Sequence, residues 1–179
     1  MKKIILLFHL LTCFVLLGSA QTENDLSPAA LHFNVGPEVG FPVGNNSAEF
    51  SIVFGASAQL EYTLSERFAL TGNVGYLNFG YKTVAGSGNT GYVPLLAGFK
   101  VYISNRAFFH MQAGAAFATS TIIDNANHVY LSKGSYFAYS PGIGHKFGKK
   151  MEGEFKFLGI SNSKHEHVNS FGLRFAYNL

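Results

Sequence analysis

Nine ionisable side chains stand at alternating positions inside otherwise apolar stretches: Glu38, Glu61, Lys100, His110, Lys146, Glu152, Glu154, Lys156 and Arg174. With the histidine set aside, four acids balance four bases. Held away from water, a carboxylate beside an imidazole is the material of general acid–base catalysis, and a row of such groups can pass protons. The same inventory has a plainer use. An enclosed charge is costly unless an opposite charge and hydrogen bonds meet it, so balanced acids and bases can neutralise one another in a narrow interior. That balance favours a structural network of Glu61, Lys100, Glu152, Glu154, Lys156 and Arg174, in which Arg174 is expected to meet Glu152 or Glu154 on the preceding strand.

Other motifs carry less. His165-Glu166-His167, with His128 further back, could put two imidazoles on one side of a strand for a divalent metal. Structural metal sites usually take four ligands, often cysteine, and the reading kept for these residues is a solvated loop. Gly144-His145-Lys146-Phe147-Gly148-Lys149-Lys150 is one residue short of a phosphate-binding loop, lacks the final Ser or Thr, and ends a strand rather than opening a helix. Gly86-Ser87-Gly88-Asn89-Thr90-Gly91 reads as a flexible loop tip. No catalytic, cofactor or metal residue is expected.

The chain has 179 residues, enough for one domain. Lys2 and Lys3, a largely apolar run over residues 4–17, and Gly18-Ser19-Ala20 have the anatomy of a cleaved secretory signal peptide over residues 1–20, with Gln21 as the mature N-terminus. The run is short for a transmembrane anchor, which needs about 20 apolar residues. The one cysteine, Cys13, falls in this segment, so no disulfide framework is expected. Without Lys2 and Lys3 the formal charge falls from +3 to near neutrality, which is no footprint for nucleic acid. Only 13% of residues are charged, 15% are aromatic, and nothing after the signal peptide is apolar for long enough to cross a membrane as a helix. Alternating strands remain.

Periodicity supplies them. Ile52, Phe54, Ala56, Ala58, Leu60, Tyr62 and Leu64 alternate with Ser51, Val53, Gly55, Ser57, Gln59, Glu61 and Thr63. Period two over more than ten residues is the length a tilted strand needs to cross a bilayer. The same rhythm puts Val93, Leu95, Phe99 and Val101 opposite Pro94, Leu96, Lys100 and Tyr102, and Phe109, Met111 and Phe117 opposite His110, Gln112 and Ala118. It recurs near residues 31–41, 68–81, 137–147, 151–157 and 171–179, giving eight strands. Within 68–81 the phase slips from Val74 and Tyr76 to Leu77, Phe79 and Tyr81, which predicts a β-bulge near Gly75. The intervening segments, 43–49, 65–67, 82–91, 104–106, 120–134, 148–150 and 161–168, alternate long and short. Outer-membrane barrels have short periplasmic turns and long external loops, so an even strand count leaves both termini in the periplasm.

The expected architecture is all-β: an eight-stranded antiparallel up-and-down transmembrane β-barrel over residues 30–179, preceded by a short periplasmic segment, 21–29. Its outward faces are apolar, with Tyr62, Tyr76, Tyr92, Tyr139 and Tyr177 available for interfacial girdles. Small residues face inward because an eight-stranded interior is only wide enough for side chains. Pro37, Pro94 and Pro141 each delete a ladder donor and are expected near strand ends or bulges.

Tyr92-Val93-Pro94-Leu95-Leu96-Ala97-Gly98-Phe99-Lys100-Val101-Tyr102, Ser140-Pro141-Gly142-Ile143-Gly144 and the closing Phe171-Gly172-Leu173-Arg174-Phe175-Ala176-Tyr177-Asn178-Leu179 resemble the outer-membrane β-barrel domain proteins of Bacteroidetes, relatives in architecture of small OmpA- and OmpX-like barrels. The resemblance implies a location and a fold, not a reaction. It implies outer-membrane lipid and lipopolysaccharide as surroundings, and a barrel-insertion machinery that reads a C-terminal aromatic residue. This chain departs from that pattern by ending on Leu179, with Tyr177 two before it. Enzymes of the small-barrel class, which modify lipid A, work from His and Ser with an acid at the outer rim, and no such trio stands out by spacing.

The sequence therefore reads as a monomeric, non-enzymatic outer-membrane protein without cofactor, its lumen filled and its external loops meeting the environment. The alternatives are a lipid A-modifying barrel enzyme, a narrow conduit for small hydrophobic molecules, and a soluble barrel with the faces inverted. Export is the first point to test. N-terminal sequencing of protein from the outer-membrane fraction should begin at Gln21; recovery of Met1, or of soluble protein after washing, contradicts the reading.

Overall fold

Hydrocarbon offers no partner for a backbone N–H or C=O, so strands that cross it must pair on both edges. The computed structural model describes residues 30–44, 50–81, 89–123, 129–161 and 167–179, and its strands do pair on both edges. In chain order they are β1 (Leu31–Val43), β2 (Phe50–Ser65), β3 (Phe68–Tyr81), β4 (Asn89–Tyr102), β5 (Ala107–Ile123), β6 (Val129–Lys146), β7 (Met151–Ser161) and β8 (His167–Asn178). Each pairs antiparallel with the next, and β8 returns to β1 to close the barrel. The expected signal peptide and the 21–29 segment lie outside the described residues.

The registers set how the wall is sheared. Stepping through paired residues from Phe33 by way of Leu60, Gly72, Ala97, Ala113, Tyr139, Gly159 and Asn169 arrives at Val43, ten residues further along β1. That stagger fits strands tilted by roughly 35–45° around an interior just wide enough for side chains. Close approach between strands makes glycine necessary at some inward positions. A Cβ on Gly36 would lie 1.9 Å from the carbonyl oxygen of Phe175, and one on Gly55 would lie 1.9 Å from that of Tyr76.

The two faces divide as alternation requires. Phe54, Leu95 and Phe137 point outward, at 53%, 55% and 59% exposure, while Lys100, His110 and Ser140 are fully buried. A soluble barrel would show the reverse, so that alternative is set aside. On the outside, Phe171 gathers Phe41, Phe155 and Phe157 into one aromatic patch, with the Phe155 and Phe171 rings stacked at 5.5 Å.

Four expectations need correction. No bulge occurs at Gly75: Ser57 opposes Gly75 and Gly55 opposes Leu77 in one unbroken register. Leu77 and Phe79 keep the inward phase and are buried, because the interior turns apolar here while the alternation runs on. Tyr92 belongs to the same interior cluster, 7% exposed, and not to an outer girdle; Tyr62, Tyr76, Tyr139 and Tyr177 do face outward. Pro37, Pro94 and Pro141 stand in mid-strand rather than at ends or bulges. Each is accommodated by a short lapse of pairing on one side (β1–β8, β3–β4 and β6–β7 respectively) with the register the same above and below. A proline can spare a donor on one edge while its other edge stays paired. Last, β5 runs to Ile123 and β6 starts at Val129, so much of the expected 120–134 loop is ladder, and β4 begins at Asn89 within the expected 82–91 loop.

The face assignment is open to labelling. With Cys13 replaced by serine, single cysteines at positions 99, 117, 155 and 175 should react with a lipid-soluble maleimide in intact membranes and resist a water-soluble one. Water-soluble labelling at all four positions contradicts an apolar, lipid-facing wall.

Candidate functional site

The barrel interior is built in two parts, and the sheared register decides which residues meet in each. Toward the short turns, inward positions of β1, β2, β4, β5, β6, β7 and β8 carry the ionisable side chains. Lys100 on β4 lies between two carboxylates, with Nζ 2.7 Å from Glu61 and donating to both Glu152 oxygens at 3.0 Å. The hydroxyl of Tyr102 also donates to Glu61. Arg174 on β8 spreads its guanidinium over three strands: Nη1 donates to Glu152 at 3.3 Å, Nη2 to the Asn34 side-chain oxygen at 2.6 Å, and Nε to the Ser57 hydroxyl at 2.7 Å. The Ser57 hydroxyl in turn donates a hydrogen bond to Glu38, whose other oxygen lies 2.7 Å from Lys156 Nζ.

Glu154 does not meet Arg174, although the two are cross-strand partners along the backbone. It accepts instead from His110 Nδ1 at 2.9 Å, and His110 Nε2 lies 3.0 Å from the Thr71 hydroxyl. Of the two carboxylates expected for Arg174, the structure gives it Glu152 and adds Glu38, at 3.6 Å. The reason is reach: Arg174 extends past its own cross-strand neighbour into the centre, where the carboxylates of β1 and β7 converge. Lys146, also on an inward position, stands at the turn end with Nζ 4.6 Å from the centre of the Tyr102 ring.

These side chains are enclosed: Lys100, His110, Arg174, Glu152 and Glu154 are at most 2% exposed. Buried ions are tolerated when opposite charges and hydrogen bonds meet them, and each carboxylate here has a cation or a histidine within 3.0 Å. Tyr102, Phe108 and Ala69 lie beneath them on the turn side, with Lys100 Nζ 4.3 Å over the Phe108 ring. Toward the long loops the interior is apolar. Phe50, Phe79, Tyr92 and Tyr136 meet edge to face in sequence at 5.6, 5.3 and 6.2 Å, packed with Val53, Leu77, Leu96, Leu158 and Ile160. A void of about 20 Å³, lined by Glu38, Lys156, Leu77 and Leu158 among others, lies where the two parts meet. It has room for one water.

Thr71, His110 and Glu154 share the hydroxyl–imidazole–carboxylate order of a hydrolytic triad. All three are buried, and the void does not touch Thr71. Other motifs fall elsewhere. His145 faces outward, between Ala107 and Gly153 on the neighbouring strands. His167 is the exposed first residue of β8, while His128, His165 and Glu166 lie outside the described residues. Among the described residues no group of three His, Cys, Asp or Glu could hold a metal. Gly148, with φ of 102°, makes the tight turn between β6 and β7 and not a phosphate cradle. Sequence reasoning missed the roles of Asn34, Ser57, Thr71 and Tyr102; the signal available was their inward phase.

An apolar outer wall, a closed ladder and an enclosed charge network define an eight-stranded outer-membrane β-barrel. The chain belongs to the family described as "Putative MetA-pathway of phenol degradation", which matches residues 18–175. Its fold is similar to that of Ail, the attachment invasion locus protein of Yersinia pestis, at 13% identity and a TM-score of 0.65, covering 86% of this chain and all of that one. The N-terminal β-barrel domain of Pseudomonas aeruginosa OprF is similar at 15% identity and a TM-score of 0.59, with the same coverage. Neisserial surface protein A is similar at 9% identity and 0.51, covering 86% of this chain and 99% of its own. No curated protein matches the sequence.

Unfolding in denaturant probes the network. Removing Arg174 leaves Glu152 and Glu38 under-compensated in a buried site, so Arg174→Ala should cost about 3–5 kcal/mol. Glu152→Gln added to it should recover part of that loss, since the stranded charge goes too. Unchanged unfolding of Arg174→Ala contradicts a coupled network.

Proposed function

We propose that the protein is a non-enzymatic integral outer-membrane barrel whose lumen is filled, anchoring external loops that meet the cell's surroundings. What supports this reading is that side chains occupy both halves of the interior. The aromatic sequence Phe50–Phe79–Tyr92–Tyr136 crosses the outer half, and the ion network centred on Lys100 and Arg174 crosses the inner half. An eight-stranded barrel is the size at which side chains fill the interior. A packed barrel with a neutralised core suits an anchor, and the enclosure of Thr71, His110 and Glu154 leaves a triad-like group with no approach for a substrate.

One observation favours a second reading, a narrow conduit for small hydrophobic molecules. The outer half of the interior is lined by aromatic side chains, a surface on which an aromatic solute could stack. The family description names phenol degradation, which is in keeping with such a solute.

Reconstituted protein in a planar bilayer should give no stable large-conductance steps, and overexpression should leave the lipid A mass spectrum unchanged. Porin-scale conductance contradicts a filled lumen. A shifted lipid A mass returns the enzyme reading. Phenol uptake into liposomes faster with the protein than without it, and accelerated further by Tyr92→Ala, favours the conduit.

A further inference from the structure

The outer wall has an open hollow in its apolar band. Near the short turns, on the face formed by β5 to β8, a groove of about 490 Å³ is lined by Ile103, Ala107, Phe109, Phe147, Phe155 and Phe175, with His145 among them. The registers explain it. Ala107, His145, Gly153 and Phe175 form one outward row across the four strands, and Phe109, Ile143, Phe155 and Leu173 form the next. The second row is large throughout, whereas two of four positions in the first are small, so the wall is hollowed beside the turns. The volume lies within the ordinary range of small-molecule sites, about 300–1,000 Å³.

The two turns beside this hollow are basic. Turn residues 103–106 and 147–150, which border it, contain Arg106, Lys149 and Lys150 and no acid. The two turns are held side by side, since Lys146 N donates to the Arg106 carbonyl at 2.7 Å. Lys150 leans onto the outer wall, with Nζ 5.9 Å from the centre of the Tyr177 ring, two residues beyond the groove's Phe175. The remaining short turn, 66–67, lies between β2 and β3, away from the groove, and is neutral as Glu66-Arg67.

We propose that this groove is a binding site for one anionic phospholipid of the inner leaflet, with an acyl chain in the groove and the phosphate held by Arg106, Lys149 and Lys150. The proposal rests on the bilayer-spanning reading, in which the short turns mark the periplasmic side. Apolar surface at this depth must meet lipid tails, and basic clusters at the head-group level select anionic lipids. The pairing of a hollow with a local cation cluster separates a site from a diffuse ring of charge.

The test uses the mature protein reconstituted in phosphatidylcholine vesicles, with spin-labelled phosphatidylglycerol compared against spin-labelled phosphatidylcholine. Heat-modifiability on a gel first establishes that each variant is a folded barrel, which keeps failure of the barrel reading apart from failure of this one. Phosphatidylglycerol should associate more strongly, and each of Arg106→Gln, Lys149→Gln and Lys150→Gln should lower that preference by up to roughly fivefold. Ala107→Phe, which fills the groove from outside and leaves the charges in place, should lower it too, and Arg67→Gln on the far turn should not. Equal association of the two lipids, or a preference that survives the triple substitution, overturns the proposal. So does a preference unmoved by Ala107→Phe, or one that Arg67→Gln reduces as much as Lys150→Gln does.

Discussion

In a bilayer, a backbone donor or acceptor on a strand edge has no partner except another strand, and each unmet group costs several kcal/mol. The structure follows from meeting that demand eight times with a chain of this length. β1 and β8 lie at opposite ends of the described chain and must find each other, and they do so with Glu38 opposite Arg174 and Val43 opposite Asn169. The ten-residue stagger that closes the ladder then sets which inward residues share a level. Arg174 reaches Asn34, 140 positions away in sequence, because closure brings them together. The three prolines show how firmly the ladder holds, since each interrupts pairing on one edge and the register resumes unshifted beyond it.

Closure also sorts the interior by solvent. Toward the short turns the inward side chains include the ionisable groups that meet one another; toward the long loops they are mainly aromatic and aliphatic. A charge inside a barrel this narrow needs a partner from another strand, whereas an apolar side chain needs only contact. The charged half is accordingly specific about register, because a slip of one residue would turn Lys100 or Arg174 toward lipid. Specificity of register is what we read as the network's role, and it joins the anchor proposal to the placement of eight ionisable residues.

The similarity to Ail and to the OprF barrel domain, at 13% and 15% identity, has a physical reading. Closure, tilt and alternation constrain where apolar and polar side chains stand, not which ones they are. Many sequences meet those terms, so the fold persists while the residues change. The groove beside Arg106 and Lys150 is of the other kind, a local feature at the two small outward positions Ala107 and Gly153.

Strand number, antiparallel order and the division of faces were legible in the sequence because period-two alternation and turn lengths are local properties. So was the membership of the charged set, since Glu61, Lys100, Glu152, Glu154, Lys156 and Arg174 keep the inward phase of their strands. Two of the misreadings share one cause. Taking apolar to mean lipid-facing made Leu77 and Phe79 look like a phase slip and put Tyr92 on the outside; phase, not hydrophobicity, assigns the face once part of the interior is apolar. What the sequence could not supply was the pairing across the lumen: that Glu154 takes His110 while Arg174 takes Glu152 and Glu38, and that Thr71 and Ser57 complete those contacts. Those partners come from different strands at a common height, and height depends on the shear of the closed ladder, a quantity that exists only when all eight strands are in place.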